Sequence, residues 1–393
     1  MERVVIVGAG YGGLTCALRL ASAARGRAQI TLVDASDRFV ERIRLHQGAA
    51  TQRPPTHALR DLVRGTGIRL KIGRATAIDL ERRTVVVGGE PLAWDKLVLA
   101  LGWRIDVDSL PGVRRHAFTL DANRAAELGR AIGALHRGGR VLIVGGGLTG
   151  IEAAAELAEA HPHLRVELVT DAPVADGWSV AARAHVLRTF ERLGVSLREG
   201  VRAHGATSDH LTTDAGPIPF DVCVWTVGFA FPALPREAGL AVDARGRVSV
   251  DARLRSVSCS DVYVVGDLAS PVEPTGHPLP MGCKSAQPTG AHAAENIARA
   301  LRGSAERPLD YAVPLYCVSL GRRDGLIQLA RHDGSLTGPV LTGRAAAAVK
   351  ELVCRSTMWA LRLERRGVRA VVWKKTGRRE ALPSTRRGLL AAR

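Results

Sequence analysis

The segment Gly8-Ala-Gly10-Tyr-Gly-Gly13 decides how the first part of this chain folds. It follows the apolar run Val4–Val7 and precedes a helical pattern rich in alanine and leucine, which is the context that a G-x-G-x-x-G fingerprint requires. Its glycines allow a tight turn and the close approach of a pyrophosphate, while the amides and dipole of the following helix hold negative charge. The segment therefore predicts a dinucleotide site.

The same fingerprint occurs again 137 residues later. Gly145-Gly-Gly147-Leu-Thr-Gly150 follows the apolar run Val141–Val144 and again precedes a helical pattern. A single copy is a weak signal because glycine-rich turns are common, but each copy here has the required strand and helix around it. Two such units predict two dinucleotides, and two dinucleotides in one chain indicate that electrons pass between them.

Length and composition predict a folded chain of two or three domains. Of the 393 residues, 46% are hydrophobic and 24% are charged, so extensive disorder is not expected. Met1-Glu-Arg leads directly into the first predicted strand, which leaves no room for a signal peptide. No run approaches the roughly 18 apolar residues of a membrane-spanning helix. We therefore expect a cytoplasmic protein, with contact at the membrane surface left open.

The cysteines, histidines and basic residues argue against several classes of site. The six cysteines are scattered without a C-x-x-C, which argues against a disulfide framework, a zinc site and a redox thiol pair. The twelve histidines do not cluster, so we predict no metal site. The net charge is +17, and residues 344–393 hold 14 Lys or Arg against three Glu. Without an RNA-binding pattern or a zinc finger, this charge does not predict specific nucleic-acid binding, whereas an anionic membrane surface stays an alternative.

Several patterns resemble those of the two-dinucleotide-fold flavoprotein superfamily, which includes disulfide reductases, ferredoxin reductases and type II NADH dehydrogenases. The superfamily patterns, in order, are Gly8–Gly13 with Asp34, Leu97–Gly102, Gly145–Gly150 with Glu152, Trp225–Gly228 and Val264–Asp267. The resemblance covers residues 1–345. It is closest to the type II NADH:quinone oxidoreductases, through Tyr11–Leu14, Gly147–Glu152, Ser285–Gln287 and Ser319–Arg322.

The resemblance implies an α/β fold with two Rossmann-like domains, the second inserted in the first. Residues 1–118 and 236–306 would form an FAD-binding domain. Residues 119–235 would form an NAD(P)H-binding domain. Residues 307–393 would form a small C-terminal α+β domain that ends in a basic tail. A helix is predicted from Thr289 to Leu301, and two short strands are predicted around residues 322–325.

The resemblance also implies which residues bind the cofactors. Asp34 would hold the adenosine ribose of FAD, Ala75 would offer its backbone to the adenine, and Asp267 would reach the ribityl chain or the pyrophosphate. Peptide groups near Ala286 and Gln287, just before a helix, would face the pyrimidine carbonyl of the flavin. The glycines implied to contact the cofactors are Gly8, Gly10, Gly13, Gly102, Gly145, Gly147, Gly150 and Gly228.

Four further residues are candidates for catalysis or cofactor choice. Glu152 resembles the glutamate close to nicotinamide and flavin in this family, and its alternative is an exposed helix glutamate. Gln287 and His292 would line the acceptor pocket. There His292 could supply a proton, and its alternative is a hydrogen-bonded helix histidine. Asp171, just after a strand of the second unit, would disfavour a 2′-phosphate and so favours NADH over NADPH.

Three features depart from the family pattern. The thiol pair of the disulfide reductases is absent from the first predicted helix, so that branch is not expected. His292 occupies the place of a second glutamine in the quinone-site pattern. The apolar membrane helix near the C-terminus is diluted to Arg344–Arg355 and onward. The last two departures argue against quinone reduction at a membrane. They argue less strongly against the oxidation of NAD(P)H.

The C-terminal helix is predicted to be basic and amphipathic. Met358 and Leu361 fall on its polar side and blur the pattern. The apolar face could pack on the body of the protein, on a second subunit in a homodimer, or on a membrane surface. The apolar face is Val349, Leu352, Val353, Trp359, Ala360 and Leu363, and the opposite face is Arg355, Arg362, Arg365 and Arg366.

The predicted activity is that of an NAD(P)H-oxidising FAD enzyme. The nicotinamide would stack on the flavin and pass a hydride from its C4 to N5, and the electrons would go on to a quinone or another small acceptor. Two other functions stay open. One is a biosynthetic flavoprotein that oxidises or reduces a specific small molecule, and the other is a non-catalytic redox sensor or scaffold that binds through the basic tail.

Overall fold

The first stretch of the chain opens with the predicted strand, helix and strand. The structure is a computed structural model that describes residues 1–51, 55–121, 124–271, 279–331 and 335–375. Val4–Val7 are fully buried, as expected for a parallel strand covered by helices on both faces. The elements are β1 (Glu2–Val7), α1 (Tyr11–Ala23), β2 (Ala28–Asp34), β3 (Arg38–Val40), α2 (Leu45–Thr51), β4 (Thr56–Ala58), α3 (Leu59–Val63), β5 (Arg69–Ile72), β6 (Ala75–Asp79), β7 (Thr84–Val87), β8 (Glu90–Ala93), β9 (Lys96–Leu99), β10 (Arg104–Ile105) and α4 (Val113–His116).

The second stretch repeats the same plan around the second fingerprint. The elements are β11 (Phe118–Thr119), α5 (Ala125–Gly133), β12 (Arg140–Val144), α6 (Leu148–Ala160), β13 (Arg165–Thr170), α7 (Val180–Leu193), β14 (Ser196–Glu199), β15 (Ala203–Ala206), β16 (His210–Thr213), β17 (Ile218–Pro219), β18 (Val222–Trp225), β19 (Phe229–Ala230) and α8 (Leu234–Glu237). Two short 3-10 helices, Arg42–Arg44 and Gly266–Leu268, lie elsewhere in the chain.

The chain then returns to the first unit and ends in an antiparallel sheet and a long helix. The last elements are β20 (Val248–Val250), β21 (Val262–Val264), β22 (Ala269–Pro271), α9 (Cys283–Ala300), β23 (Leu315–Ser319), β24 (Gly325–Ala330), β25 (Leu336–Thr342) and α10 (Gly343–Arg365). Two strands were predicted after residue 308, and the structure has three. The strand that was missed is Leu336–Thr342, which is partly exposed and has a mixed pattern of polar and apolar residues that does not predict a strand.

Two five-stranded parallel sheets carry the dinucleotide units. The first has the order β21-β9-β1-β2-β5, and the second has the order β11-β18-β12-β13-β14. The strand before each fingerprint lies at the centre of its sheet, so both glycine turns leave from the carboxyl edge, where ligands bind in such folds. The first sheet contains β21, which follows the whole second sheet in the chain. The predicted insertion of one Rossmann-like unit in the other is therefore confirmed.

Helix α10 is fixed to the first unit by a buried ion pair. The Arg19 guanidinium, 1% exposed, donates to both carboxylate oxygens of Glu364, at 2.7 and 2.6 Å, and also pairs with Glu295. The Glu364 carboxylate accepts the N–H groups of Ala370 and Val371 as well. Because all these charges and donors have partners, the pair determines where α10 ends against α1.

Helix α9 begins six residues before its predicted start. The prediction placed the start at Thr289, whereas the helix runs from Cys283 with Pro288 inside it. Pro288 cannot donate to the carbonyl of Lys284, and the Tyr311 hydroxyl donates to that oxygen instead, at 2.7 Å. The tertiary contact thus replaces the bond that the proline removes.

The predicted apolar face of the C-terminal helix does not pack on the body of the protein. Val349, Leu352, Trp359 and Leu363 are 36%, 54%, 48% and 39% exposed, and we call these four residues the apolar arc. The buried face of α10 lies elsewhere on the helix, so the assignment of Met358 and Leu361 to the polar side was wrong. That face is held by hydrogen bonds and ion pairs that hydropathy does not register. Its buried residues are Ala346, Cys354, Thr357, Met358, Leu361 and Glu364.

Candidate active site

The two fingerprints fold into the same turn. Gly8 has φ +105° and Gly145 has φ +116°, a region that favours glycine. A Cβ atom on Gly13 would lie 1.8 Å from the Gly8 carbonyl oxygen, and one on Gly150 would lie 1.9 Å from the Gly145 carbonyl oxygen. Only glycine therefore allows the chain to pass this closely at the last position of each fingerprint.

Helices α1 and α6 begin with unpaired backbone donors. Gly10 and Gly147 are their N-caps, no side chain caps either helix, and neither first turn contains an acid. The first three N–H groups of each helix donate to no other described residue. Helix α7 differs, because the Ser179 hydroxyl accepts the Ala182 N–H at 3.2 Å. Unpaired N–H groups and the helix dipole favour phosphate, so the residues present fit the pyrophosphates of two dinucleotides.

The start of α9 lies beside the first fingerprint. A Cβ atom on Gly290 would be 2.1 Å from the Gly12 carbonyl oxygen, so α1 and α9 are in direct contact. Ala286 and Gln287 lie inside α9, and the expectation that they precede the helix was wrong because the helix starts earlier. The Ala286 N–H donates to Gly282 O at 3.0 Å. At the start of α9, the N–H groups of Cys283 and Lys284 donate to no other described residue.

Asp34 and Asp267 both lie beside the first fingerprint, Gly8–Gly13. One Asp34 oxygen accepts the Ala9 N–H at 2.6 Å, and the other accepts the Ser36 N–H at 2.9 Å. Asp267 accepts the Gly282 N–H at 2.7 Å and the indole N–H of Trp103 at 2.8 Å. Asp267 thus fixes the start of α9 to the loop after β9. Burial raises the pKa of Asp267, although both of these hydrogen bonds oppose that effect.

Glu152 lies where three parts of the chain meet. One of its oxygens accepts the Ser319 N–H at 3.0 Å and lies 2.9 Å from Lys350 Nζ, and the other lies 3.6 Å from Nδ1 of His46. These partners come from the C-terminal sheet, from α10 and from α2 of the first unit. The Glu152 side chain is only 13% exposed, so the alternative of an exposed helix glutamate is excluded.

The electrostatics of this junction keep Glu152 charged. Burial alone would raise its pKa, but Lys350 and the Ser319 N–H outweigh burial, so the pKa lies below its ordinary value. The pKa of Lys350 is raised, because Glu152 outweighs the effect of burial on the ammonium. Burial lowers the pKa of His46 to about 4, so this histidine is neutral. The junction is therefore a buried carboxylate–ammonium pair beside a neutral imidazole.

Gln287 and His292 point to different neighbours. The Gln287 amide donates to the Thr357 carbonyl at 3.1 Å, which joins α9 to α10. Nε2 of His292 lies 3.0 Å from the Arg307 carbonyl, and its ring packs edge-on against Trp373 with centroids 6.2 Å apart. Burial lowers the pKa of His292 to about 4. The geometry therefore favours the hydrogen-bonded helix histidine over a proton donor.

The other predicted residues lie at the edges of the two units. Ala75 is the first residue of β6, and Asp171 is exposed directly after β13. Gly102 has φ +61° and precedes Trp103. Gly228 has φ +78° and faces Asp106. A Cβ atom added to Gly228 would lie 2.9 Å from the Cβ of Asp106. Their roles toward a cofactor stay predictions.

Residues that the patterns did not single out complete the site. His46 and Lys350 pair with Glu152 but lie far from it in sequence. Lys284, in the first turn of α9, lies with its ammonium 3.4 Å from the ring centroid of Tyr316, and burial lowers its pKa to about 8. The sequence could have indicated Lys350 only by its position on the helical face that also carries Cys354 and Leu361.

The described part of the chain contains no group of three or more potential metal-binding side chains, and its six cysteines are free. Cys16, on the first helix, is buried, and burial raises its pKa to about 12. Among the described helices, none is both long and apolar enough to cross a bilayer.

Comparison with known proteins identifies the family. Residues 2–297 match the pyridine nucleotide-disulphide oxidoreductase family, and the chain belongs to it. The chain is 28% identical over 320 residues to an NADH dehydrogenase-like protein of Mycobacterium tuberculosis, covering 76% of this chain and 80% of that protein. It is 26% identical over 398 residues to a type II NADH:quinone oxidoreductase of Staphylococcus epidermidis, covering 92% and 96%.

The solved structures agree with the fold. The sulfide:quinone oxidoreductase of Aquifex aeolicus superposes with a TM-score of 0.81 over 94% of this chain and 93% of its own, at 18% identity. The protein is thus an oxidoreductase with a Rossmann-like α/β fold, from a family whose members use a flavin and a nicotinamide cofactor. The predicted resemblance to type II NADH dehydrogenases is confirmed.

Gly10 and Gly147 allow a test of the two phosphate sites. Each has φ −71°, and an added Cβ would meet no atom within 4 Å, so alanine fits the protein itself. In Gly10→Ala we expect unchanged thermal stability and at least about tenfold weaker flavin binding, because the methyl occupies the phosphate space. In Gly147→Ala we expect normal flavin content and a similar rise in the KM for the nicotinamide. Unchanged flavin and nicotinamide binding in both variants would contradict the assignment.

We expect the buried His292 to cause part of the loss of unfolding free energy at low pH. Its pKa is depressed in the folded protein, so the unfolded chain binds the extra proton and stability falls as pH decreases from 6.5 towards about 4. A shift of this size corresponds to about 3 kcal/mol. His292→Gln keeps a donor for the Arg307 carbonyl and should reduce this loss in urea unfolding, with the exposed His136→Gln as control. Equal pH dependence in all three proteins would contradict the assignment.

Proposed function

We propose that this protein binds FAD at Gly8–Gly13 and NAD(P)H at Gly145–Gly150, and that it passes electrons from NAD(P)H through FAD to a quinone. One observation carries the proposal. The helix that starts at the second fingerprint brings Glu152 to within 3.6 Å of His46, which belongs to the first unit. This contact supports a shared junction between the two dinucleotide sites, which the proposed electron transfer requires.

The chain's own contribution is orientation and electrostatics. The bound flavin supplies the two-electron chemistry between the nicotinamide and the acceptor. The amides of α1 and α6 would hold the two pyrophosphates, and the unpaired donors of Cys283 and Lys284 would face negative charge on the pyrimidine side of the flavin. Asp34 would take the adenosine ribose, with its carboxylate already oriented by Ala9 and Ser36.

Glu152 would orient the nicotinamide at the junction. It stays ionised because Lys350 and the Ser319 N–H stabilise its charge. A fixed carboxylate stabilises the positive charge that a nicotinamide ring gains when it is oxidised. Asp171, exposed at the end of β13, supports NADH as the preferred donor, because a carboxylate there repels a 2′-phosphate.

A quinone acceptor is supported by the relatives and by the placement of α10. The Staphylococcus epidermidis relative is a type II NADH:quinone oxidoreductase, and the match to this chain covers 96% of its length. Gln287 and Thr357 join α9 to α10, and the side of α10 away from this contact presents the apolar arc. Helical spacing places Arg355, Arg362 and Arg366 beside Trp359 of the arc, rather than on the opposite face that was predicted from the sequence. An apolar arc bordered by cations suits the surface of an anionic membrane, where quinones dissolve. We propose that α10 lies on such a surface.

Anaerobic mixing with NADH and then NADPH tests the redox reaction. We expect the flavin absorbance to be lost with NADH, and more slowly with NADPH. Glu152→Gln should slow this loss by about tenfold or more while flavin content is retained, because one charge-assisted contact to the reacting ring is removed. The exposed Glu191→Gln serves as control. A flavin that neither nicotinamide reduces would contradict the proposal and favour a biosynthetic flavoprotein.

Replacing the apolar arc tests the membrane contact. In the triple variant Leu352→Ser, Trp359→Ser, Leu363→Ser we expect at least about tenfold weaker binding to anionic vesicles, because each apolar side chain contributes about 1 to 3 kcal/mol on burial. Reduction of a soluble quinone should stay unchanged. Leu329→Ser, at a leucine that is 55% exposed on β24, is the control. Unchanged vesicle binding with a loss of dimer would instead identify the arc as a subunit interface.

A further inference from the structure

A pocket lined by arginines lies between the β3–β4 hairpin, α3 and the end of α10. Its volume is about 520 Å³, large enough for a small phosphorylated molecule or a lipid headgroup. We call it the arginine pocket. The residues that define it are Arg38, Thr56, His57, Arg60, Arg362 and Arg365.

The arginine pocket is separate from the dinucleotide turns. Side chains alternate along β3, so Arg38 points away from the side on which Phe39 packs. Phe39 is buried against Tyr11, at the start of α1, with ring centroids 5.0 Å apart. The pocket therefore opens on the outer face of the hairpin, whereas the first phosphate turn lies on its inner side.

Two of the four guanidinium groups are held in place without being neutralised. Arg38 donates to the Thr56 hydroxyl at 2.8 Å and to the Thr56 carbonyl at 3.3 Å. Arg365 donates to the Asp61 carbonyl at 2.7 Å. None of these acceptors carries a full charge, so both guanidinium groups are oriented and keep their positive charge. Such pre-organised donors lose little freedom when they bind an anion.

The other two guanidinium groups have no partner among the described residues. Arg60 and Arg362 are exposed, and neither makes an ion pair or hydrogen bond there. Asp61, the one carboxylate of the lining, pairs with Arg64, and His57 faces Glu41 at 2.7 Å. The eighteen residues after Lys375 hold five Arg and one Glu, so their composition adds positive charge. Four cations around one cavity repel each other unless an anion lies between them.

We infer that the arginine pocket binds a phosphate-bearing ligand. Guanidinium groups match phosphate oxygens in pairs, and two oriented groups with two free ones can surround a phosphate. Two sources supply this group, a free phosphomonoester or the headgroup of an anionic phospholipid. In the second case the acyl chains would continue along the apolar arc, because Trp359 and Leu363 lie next to Arg362 on α10.

A second basic pocket provides the matched control. It is lined by Ser22, Arg25, Arg302 and Arg369, at the carboxyl end of α1. Arg302 donates there to the Ala23 carbonyl at 3.1 Å. The carbonyls at the end of a helix disfavour anions, so this pocket should bind phosphate weakly although its charge is similar.

The test compares two double variants of the full-length, flavin-loaded protein. Arg38→Gln with Arg60→Gln removes two donors of the arginine pocket that lie outside α10, and Arg25→Gln with Arg369→Gln removes the same charge from the second pocket. Binding of glycerol 3-phosphate is measured by calorimetry at fixed ionic strength. Sedimentation is measured with phosphatidylcholine vesicles that contain or lack phosphatidylglycerol. Anaerobic flavin reduction by NADH should be equal in all proteins, which keeps this test independent of the proposed redox function.

We expect the first double variant alone to bind about tenfold more weakly, the loss typical of charge-assisted hydrogen bonds. A loss with glycerol 3-phosphate would identify a free phosphomonoester as ligand. A loss only with phosphatidylglycerol vesicles would identify a lipid headgroup. The inference is overturned if the wild-type protein binds neither probe, or if both double variants weaken binding equally.

Discussion

The structure depends on unpaired backbone N–H groups at the starts of α1 and α6. A glycine at the N-cap is less favourable than a capping side chain by only a few tenths of a kcal/mol, and both helices also lack an acid in the first turn. The glycines that begin these helices cannot supply a cap, yet they let a ligand approach the amides closely. The chain thus forgoes stability at two places where a phosphate can restore it. Helix α7, by contrast, is capped by the Ser179 hydroxyl.

The junction around Glu152 relates the two phosphate sites to each other. Helix α6 runs from the second fingerprint into a contact with the first unit, the C-terminal sheet and α10. Because a buried carboxylate is costly without partners, Lys350 and the Ser319 N–H hold α6 in one position relative to α10 and the C-terminal sheet. The C-terminal region thereby takes part in the geometry of the site.

The fold was largely predictable because its signals are local. Each fingerprint lies within about ten residues of its strand and helix, and the order of the patterns indicated the insertion. The site was predictable only where a motif carried it, as for Glu152. His46 and Lys350 could not be found, since they reach Glu152 from segments more than 100 residues away. The face of α10 was misassigned because buried ion pairs, such as that of Glu364 with Arg19, oppose the hydropathy pattern.

The start of α9 shows the same limit. Pro288 lies inside α9, where it removes one backbone hydrogen bond, and the Tyr311 hydroxyl replaces that bond. Local rules failed at this position because the partner lies in another part of the chain. The shift matters for the site, since it moves the unpaired donors from Ala286 and Gln287 to Cys283 and Lys284.

The decisive measurement is a crystal structure of the protein with FAD and NAD⁺ bound. We expect one pyrophosphate on the amides of α1, the other on the amides of α6, and the nicotinamide ring stacked on the flavin at about 3.5 Å near Glu152. A nicotinamide bound away from the flavin, or a fingerprint turn without phosphate, would contradict this expectation.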